Sequence, residues 1–221
     1  MKVSVVENVL KLNDELAQMN RQLLHDHGLF TLNLIGAPGC GKTALIERTL
    51  DTLRDRLRFA VLVGDLTTQR DADRMARFCD QVVQINTGKG CHLDANQVRQ
   101  GLAQLDLQKV DVLIIENVGN LICPVGFDLG QDAKIGIFSV SEGDDKAAKH
   151  PYIVKEASLL LLNKTDLLPH VTFDKDRFYQ DVQALNLQVE TLEVSVTADD
   201  LQPWLNWLEQ AIRQRPVKTG A

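Results

Sequence analysis

Cysteine is sparse in this chain: Cys40, Cys79, Cys91 and Cys123 are the four in 221 residues, and no two form a Cys-x-x-Cys pair. That excludes a zinc-finger framework, and so few cysteines are expected as thiols of a reducing compartment rather than as a disulfide scaffold. Positive charge is in deficit, with a net charge of −6 and a pI near 5.4, which argues against broad, nonspecific binding of nucleic acid. No apolar run approaches the roughly 20 residues that span a bilayer. The first residues lack a secretory pattern, because charged and amide residues interrupt the apolar ones. Internal repeats and low-complexity tracts are missing too. The expectation is a cytoplasmic protein with neither nucleic acid nor membrane as a partner.

What is present is an ordinary globular mix, 44% hydrophobic and 24% charged, in a length that suits one well-buried domain. Residues 3–27 read as a helix, since Val5, Val9, Leu12, Leu16, Met19 and Leu23 recur at alternating spacings of four and three. The plain reading packs this stripe on the chain's own domain; the sharper one makes it a docking helix for a partner. From residue 29 onward, short apolar runs alternate with amphipathic segments. The runs 29–35, 59–63, 81–85, 110–115, 135–140, 157–162 and 191–194 read as strands, several of them apolar on consecutive residues. Helices are expected near 43–57, 71–79, 94–105, 174–185 and 199–213. Consecutive apolar residues suit strands covered on both faces, so the fold class is α/β, a mostly parallel sheet flanked by helices. The organisation expected is an N-terminal helix over 1–28, a nucleotide-binding domain over 29–214 and a frayed tail over 215–221.

Gly36-Ala-Pro-Gly-Cys-Gly41-Lys42-Thr43 fits G-x-x-x-x-G-K-[ST] between an expected strand and an expected helix, the context of a P-loop. Its glycines let backbone N–H groups turn inward around phosphate oxygens, and the helix N-terminus adds partial positive charge. The phosphate-side set is Gly36, Gly39, Cys40, Gly41, Lys42, Thr43 and Ala44. Lys42 is expected on the β- and γ-phosphates and Thr43 on Mg²⁺, while the Cys40 side chain reads as a small filler. Glu116 ends a buried apolar strand and Asp65 ends another, where P-loop enzymes hold Mg²⁺ or its waters and orient the attacking water. Asp71 is a second acidic candidate, read first as a helix N-cap. Lys42, Asp65 and Glu116 form the expected catalytic set, with Thr43, Asp65 and Glu116 on magnesium. No arginine finger or polarising glutamine is identifiable, so slow nucleotide turnover is expected.

Asn163-Lys164-Thr165-Asp166 follows a buried strand and resembles the N-K-x-D motif of GTPases. A carboxylate accepts from both the N1–H and the 2-amino group of guanine, donors that adenine does not offer in that arrangement. Lys164 can lie along the base and Asn163 can tie the loop to the P-loop. Ser195-Val196-Thr197 stands where guanine-specific proteins carry a Ser-Ala loop, with Val196 replacing the usual alanine. GTP is therefore the expected nucleotide, hydrolysed to GDP and phosphate.

Two further loops carry soft ligands: Gly88-Lys-Gly-Cys91-His92-Leu-Asp94 and Gly119-Asn-Leu-Ile-Cys123-Pro124. Both are expected at the carboxyl edge of neighbouring strands. Two thiolates and an imidazole suit Zn²⁺ or Ni²⁺, with a remaining ligand from water or from a second subunit. On residue types alone the plainer reading, a loop pair and two isolated thiols, comes first. Cys79 reads as a core residue, and His25, His27, His150 and His170 as solvated or capping.

The segments Asn86-Thr-Gly-Lys-Gly-Cys91-His92-Leu-Asp-Ala95, Ile115-Glu-Asn-Val-Gly-Asn-Leu-Ile-Cys123-Pro124 and Phe127-Asp-Leu-Gly130 resemble the signature of the hydrogenase nickel-incorporation GTPase family (HypB-type), within the SIMIBI class of P-loop GTPases. Glu142-Gly-Asp-Asp-Lys146 and Leu161-Leu-Asn-Lys-Thr-Asp-Leu-Leu-Pro169 add to the match, which covers residues 32–208. The resemblance implies a metallochaperone that forms a homodimer when GTP-bound. It implies a nickel or zinc site of Cys91, His92 and Cys123 near the dimer interface. It further implies a zinc-containing nickel chaperone of the HypA type and the NiFe hydrogenase large subunit as partners. Lys146 would reach the neighbouring subunit's nucleotide, or else is a solvated loop lysine. Some family members carry an N-terminal cysteine motif or histidine-rich tract that this sequence lacks, so nickel storage is not expected. The alternatives are a sister GTPase serving another nickel enzyme such as urease, a small-molecule kinase, or a regulatory switch whose cysteines never meet metal.

Overall fold

The computed structural model describes residues 8–66 and 70–215, without the side chains of Asn8 and Val9. Residues 3–7 of the expected first helix, Thr67 and Thr68, and the tail after Arg215 lie outside the described residues. Seven strands, β1 (Phe30–Gly36), β2 (Phe59–Asp65), β3 (Val82–Asn86), β4 (Val112–Glu116), β5 (Ala133–Ser139), β6 (Leu159–Asn163) and β7 (Glu190–Glu193), form one sheet in the order β3-β2-β4-β1-β5-β6-β7. Each neighbouring pair is parallel. The helices are α1 (Asn8–Asp26), α2 (Lys42–Leu53), α3 (Arg70–Met75), α4 (Ala95–Leu102), α5 (Lys146–Lys149), α6 (Pro151–Glu156), α7 (Lys175–Leu185) and α8 (Gln202–Gln214). No described helix is long and apolar enough to cross a membrane.

Every residue of β1, β4, β5 and β6 is buried, as the consecutive apolar runs require when both faces are covered. Alternate side chains go to opposite faces. Leu32 and Leu34 of β1, Val61 and Val63 of β2, and Ile135 and Ile137 of β5 meet Leu45, Ile46 and Leu50 of α2 and Trp204 and Leu208 of α8. On the other face, Ala60, Leu62, Leu113 and Ile115 pack with Leu24 of α1 and Val98 and Leu102 of α4. Phe138, Leu160 and Leu162 pack with Ile153 of α6 and Phe178 of α7. With β1 central, its P-loop opens at the carboxyl edge between the loops that follow β4 and β5, the crevice where open α/β sheets bind ligands.

The structure departs from the expectations in four places. The helices α5 and α6, four and six residues long, are too short to show periodicity, and Pro151 starts α6 where its missing N–H costs nothing. Asp71 lies within the first turn of α3 rather than at its cap, paired with Arg74 at 3.5 Å. The loops carrying Cys91 and Cys123 leave the same edge of the sheet but follow β3 and β4, which are not neighbours; β2 lies between them. Most consequentially, only part of the apolar stripe of α1 packs on the core: Leu23 does, and Leu16 is half-buried. Leu12 and Met19 are 58% and 50% exposed, and the buried row is Asn13, Ala17, Asn20 and Leu24, one residue along. The hydrogen-bond partners that the two asparagines find inside select this face over the more apolar one.

Candidate functional site

The P-loop turns between β1 and α2 through Gly39 (φ 78°) and Gly41 (φ 103°), a backbone region open to glycine. A Cβ on Gly41 would meet Asn163 Nδ2 at 2.4 Å, so the loop that carries the base motif rests directly on the P-loop. Lys42 is buried, its Nζ donating to the carbonyls of Gly36 (3.1 Å) and Ala37 (3.3 Å). Cys40 is fully buried, and a Cβ on Gly36 would meet its Sγ at 2.5 Å; burial pushes its thiol up, so this sulfur is inert packing. A cleft of about 540 Å³ opens over this loop, lined among others by Thr43, Asp65, Asp71, Arg74, Glu116 and Lys164. Sequence reading missed Arg74, which lines the cleft with its guanidinium held by Glu47 (Nε to Oε1, 2.9 Å).

Thr43 Oγ1 donates to Glu116 Oε1 at 2.7 Å. The other carboxylate oxygen, Oε2, is buried without a hydrogen-bond partner among the described residues. A hydroxyl beside a buried, half-satisfied carboxylate is the donor set a hard divalent cation takes, so these residues fit Mg²⁺. Asp65 borders the same cleft at the end of β2, its Oδ1 accepting from Leu66 N at 2.6 Å.

Burial raises the Glu116 carboxyl to about 7, against the pull of the Thr43 hydroxyl and of Lys42. A carboxyl whose folded pKa lies above its unfolded one stabilises the fold at low pH, and that contribution is lost as pH rises from about 4.5 to about 7. At ~1.4 kcal/mol per pK unit the loss is about 3 kcal/mol. Glu116→Gln is therefore expected to flatten this part of the stability curve of the metal-free protein and to stabilise it above pH 7. Urea unfolding at pH 5 and pH 8 checks this, and an unchanged pH dependence would refute it.

On the base side, Asn163 Nδ2 donates to Cys40 O (2.8 Å) and Lys164 Nζ to Gly39 O (2.6 Å). Lys164 adopts φ 62° to make that turn. Ser195 is buried, and its hydroxyl donates to Asp166 Oδ1 at 2.5 Å while its N–H is committed to Asp200 O. Ser195 thus orients the Asp166 carboxylate, a role that sequence reading did not assign. Val196 follows it and packs part-buried against the core.

The thiol–imidazole cluster is brought together by the sheet, from the loops that follow β3 and β4. The ligand atoms of Cys91, His92 and Cys123 all lie within 4.8 Å of one another, with Cys91 Sγ 3.6 Å from His92 Nδ1. Cys91 and His92 follow a turn closed by Thr87 and Gly90. Leu93 then packs on Gly64, where a Cβ would meet it at 2.7 Å. The Cys123 sulfur, hydrogen-bonded to Cys91, raises the Cys91 thiol, because two neighbouring thiolates repel until a cation lies between them. Burial lowers the His92 pKa, with Asp94 opposing, which favours the neutral imidazole that ligates metals. Two thiols and a neutral imidazole half-exposed at one spot fit a soft or borderline divalent ion.

Two asparagines, also unassigned from sequence, join cluster and cleft. Asn117 follows Glu116, and its Oδ1 accepts from Leu93 N (3.1 Å) while its Nδ2 donates to Asn33 Oδ1 (3.2 Å). Asn120 N donates to Gly36 O of the P-loop (3.0 Å), and its Oδ1 accepts from Ile122 N (2.8 Å) and Cys123 N (3.4 Å). Gly119 passes so close to Pro38 that a Cβ would meet it at 3.0 Å. The remaining expected roles fall to packing: Cys79 is a core residue donating to Phe59 O (3.1 Å). His25 pairs with Asp132 (2.8 Å), His27 bonds Leu23 O at the end of α1 (2.9 Å), and neither approaches the cluster.

The family model for the CobW/HypB/UreG nucleotide-binding domain matches residues 30–193. The hydrogenase maturation factor HypB of Azotobacter vinelandii is 44% identical over 98% of this chain and 71% of its own length. A probable HypB of Methanocaldococcus jannaschii is 41% identical over 96% of both chains. Among solved structures, HypB from Helicobacter pylori in complex with nickel superposes with a TM-score of 0.88 at 34% identity, covering 95% of this chain and 99% of that one.

Proposed function

The chain belongs to the CobW/HypB/UreG family, and within it to the HypB hydrogenase maturation factors, and from that premise we propose that it is a GTP-hydrolysing metallochaperone for nickel insertion into NiFe hydrogenase. Nickel is the cargo, held by Cys91, His92 and Cys123, with zinc as a competing occupant of the same soft ligands. Lys42 and the P-loop amides bind the GTP phosphates, and Thr43, Asp65 and Glu116 hold Mg²⁺ and orient the attacking water. Asp166 reads guanine. The observation that carries the reading is the convergence of the three ligand atoms within 4.8 Å of one another. The asparagine bridges from these loops to the P-loop and to the Glu116 strand support control of the metal by the nucleotide.

Three ligands leave a tetrahedral ion one short, which a second copy supplies in a GTP-bound homodimer. Ile122, 66% exposed beside Cys123, is the apolar residue that such an interface would cover. Lys146, half-buried at the start of α5 and facing Glu142, is proposed to reach the partner's nucleotide there. A zinc-containing chaperone of the HypA type and the hydrogenase large subunit complete the cytoplasmic pathway, and the outward apolar row of α1 favours the docking-helix reading of that segment.

The test is calorimetric titration of metal-free protein with Ni²⁺, in GDP and again in a non-hydrolysable GTP analogue, with mass followed by light scattering. The expected result is nickel binding whose affinity differs roughly 5- to 150-fold between the two states, together with a change of mass. Nickel binding in neither state would leave a GTP switch acting through protein partners alone.

A further inference from the structure

We propose that α1 is a clasp for the metal site, with Asn13 and Asn20 as positioning residues that hold its two ligand-bearing loops together. The inference rests on the assignment of Cys91, His92 and Cys123 as metal ligands. It starts from the anomaly in α1, a helix that turns two asparagines inward and leaves leucine and methionine in solvent. Asparagine amides are costly to bury unless they find partners. These two are seven residues apart, two helical turns on one face, and both reach the same pair of segments. Asn13 Oδ1 accepts from Ala95 N (2.9 Å) and its Nδ2 donates to Asp128 O (2.9 Å). Asn20 Nδ2 donates to Ala95 O (2.8 Å) and Leu129 O (3.2 Å). Asn20 Oδ1 is buried without a partner among the described residues, so its bonds to these segments are made by the Nδ2 donors alone.

The two segments are the continuations of the two ligand loops. Ala95 opens α4 three residues after His92, and Asp128 lies five residues after Cys123. Between them the ring of Phe127 lies against the ring of His92, centroids 4.0 Å apart. The residue after Phe127 is the one that α1 grips hardest: Arg21 Nη2 donates to both Asp128 oxygens, at 2.8 and 2.7 Å. The contact leaves no slack. Gly130 (φ 94°) sits where a Cβ would meet Ala17 O, Arg21 N and Asn20 Cβ, each at 2.8 Å. Lys134 ties the other side of the Cys123 turn, its Nζ donating to Val125 O at 2.6 Å. The imidazole and the Cys123 turn are thus located against α1 and not only against the sheet. Groups that orient metal ligands without touching the metal commonly change affinity by about 10–100-fold when removed.

The experiment compares wild type with Asn13→Ala/Asn20→Ala in full-length, metal-free protein. Ni²⁺ affinity and the sulfur-to-nickel charge-transfer absorption are read on each, and GDP affinity reports the state of the nucleotide domain. The expected result is nickel affinity about 10–100-fold weaker with an altered charge-transfer band, and GDP affinity within about twofold. Nickel affinity and band both unchanged would overturn the clasp. If the double variant also loses GDP, Arg21→Met decides: weaker nickel binding with intact GDP binding supports the clasp, and unchanged nickel binding overturns it. A wild-type protein without a Cys123-dependent band overturns the metal assignment and the clasp with it, whereas a wild-type band that the variants leave untouched overturns the clasp alone.

Discussion

Cys123→Ala is expected to weaken nickel binding by roughly a hundredfold or more while GDP affinity stays within about twofold. The proposed site would lose a thiolate, and total binding free energies of about 10–16 kcal/mol for four-ligand structural zinc sites imply about 3 kcal/mol for each ligand. The fold has little reason to follow. Cys123 is half-exposed and free of disulfide, and Asn120 Oδ1 holds its backbone N–H whatever the side chain. Truncation therefore removes a ligand without opening a core cavity. It also relieves Cys91, whose thiol is raised chiefly by its bond to the Cys123 sulfur, so Cys91 should alkylate faster at neutral pH in the variant. Cys79→Ala is the contrasting case: buried in the core, it is expected to lower stability and leave nickel binding alone. Metal titration of both variants, followed through the thiolate charge-transfer absorption, separates the two roles. An unchanged nickel affinity in Cys123→Ala would remove this sulfur from the site.

The contrast between these two cysteines was partly legible before the fold was known. Cys79 lies beside Phe78 in the sequence, and its reading as a core residue agrees with its burial. Cys91 and Cys123 are separated by an intervening helix and strand, and residue types alone favoured an unremarkable loop pair; only the longer motifs around them pointed to metal. Strands, P-loop and base motif were readable because each is local: consecutive apolar runs, glycines at fixed offsets, a carboxylate after a buried strand. What was not readable depends on partners distant in sequence. The inward row of α1 has no hydrophobic signature, because Asn13 and Asn20 are turned in by hydrogen bonds to Ala95, Asp128 and Leu129. The same holds for Asn117 and Asn120, whose acceptors and donors lie on other loops. The position of β2 between β3 and β4 is a topological fact with no local signature.

These asparagines share a property. Each satisfies backbone groups of a loop that sheet hydrogen bonding does not reach, and each lies between a ligand or phosphate contact and a rigid element. Loops at the carboxyl edge need such external supports, since they carry function on backbone that no ladder fixes. The nucleotide cleft and the cysteine cluster are consequently parts of one hydrogen-bonded frame. Gly36 O is its junction, accepting from Lys42 Nζ on the phosphate side and from Asn120 N on the cysteine side. A nucleotide that draws Lys42 toward its phosphates frees one of the two donors at that carbonyl, which gives the coupling tested by the nickel titration a physical route.

Asp166→Asn is expected to lower GTP affinity by roughly 10²–10⁴-fold and to transfer preference toward xanthine nucleotides. A carboxylate accepting from the guanine N1–H and 2-amino group makes two charge-assisted bonds, each about 1.5–3 kcal/mol. The amide keeps one acceptor but turns an NH₂ toward the 2-amino group, so a bond is replaced by opposed donors. Xanthine carries a carbonyl oxygen at that position, which accepts from the new NH₂, and the same substitution that repels guanine recruits it. The surroundings favour a clean exchange: the Ser195 hydroxyl that donates to Asp166 Oδ1 at 2.5 Å can donate equally to an amide oxygen. That leaves the NH₂ to face the base. The P-loop contacts of Asn163 and Lys164 are untouched, so phosphate binding should persist. Competition of GTP, XTP and ATP against a fluorescent GDP analogue measures the shift. A variant that keeps its preference for GTP would take Asp166 out of the base site and leave guanine selection to the Ser195 loop.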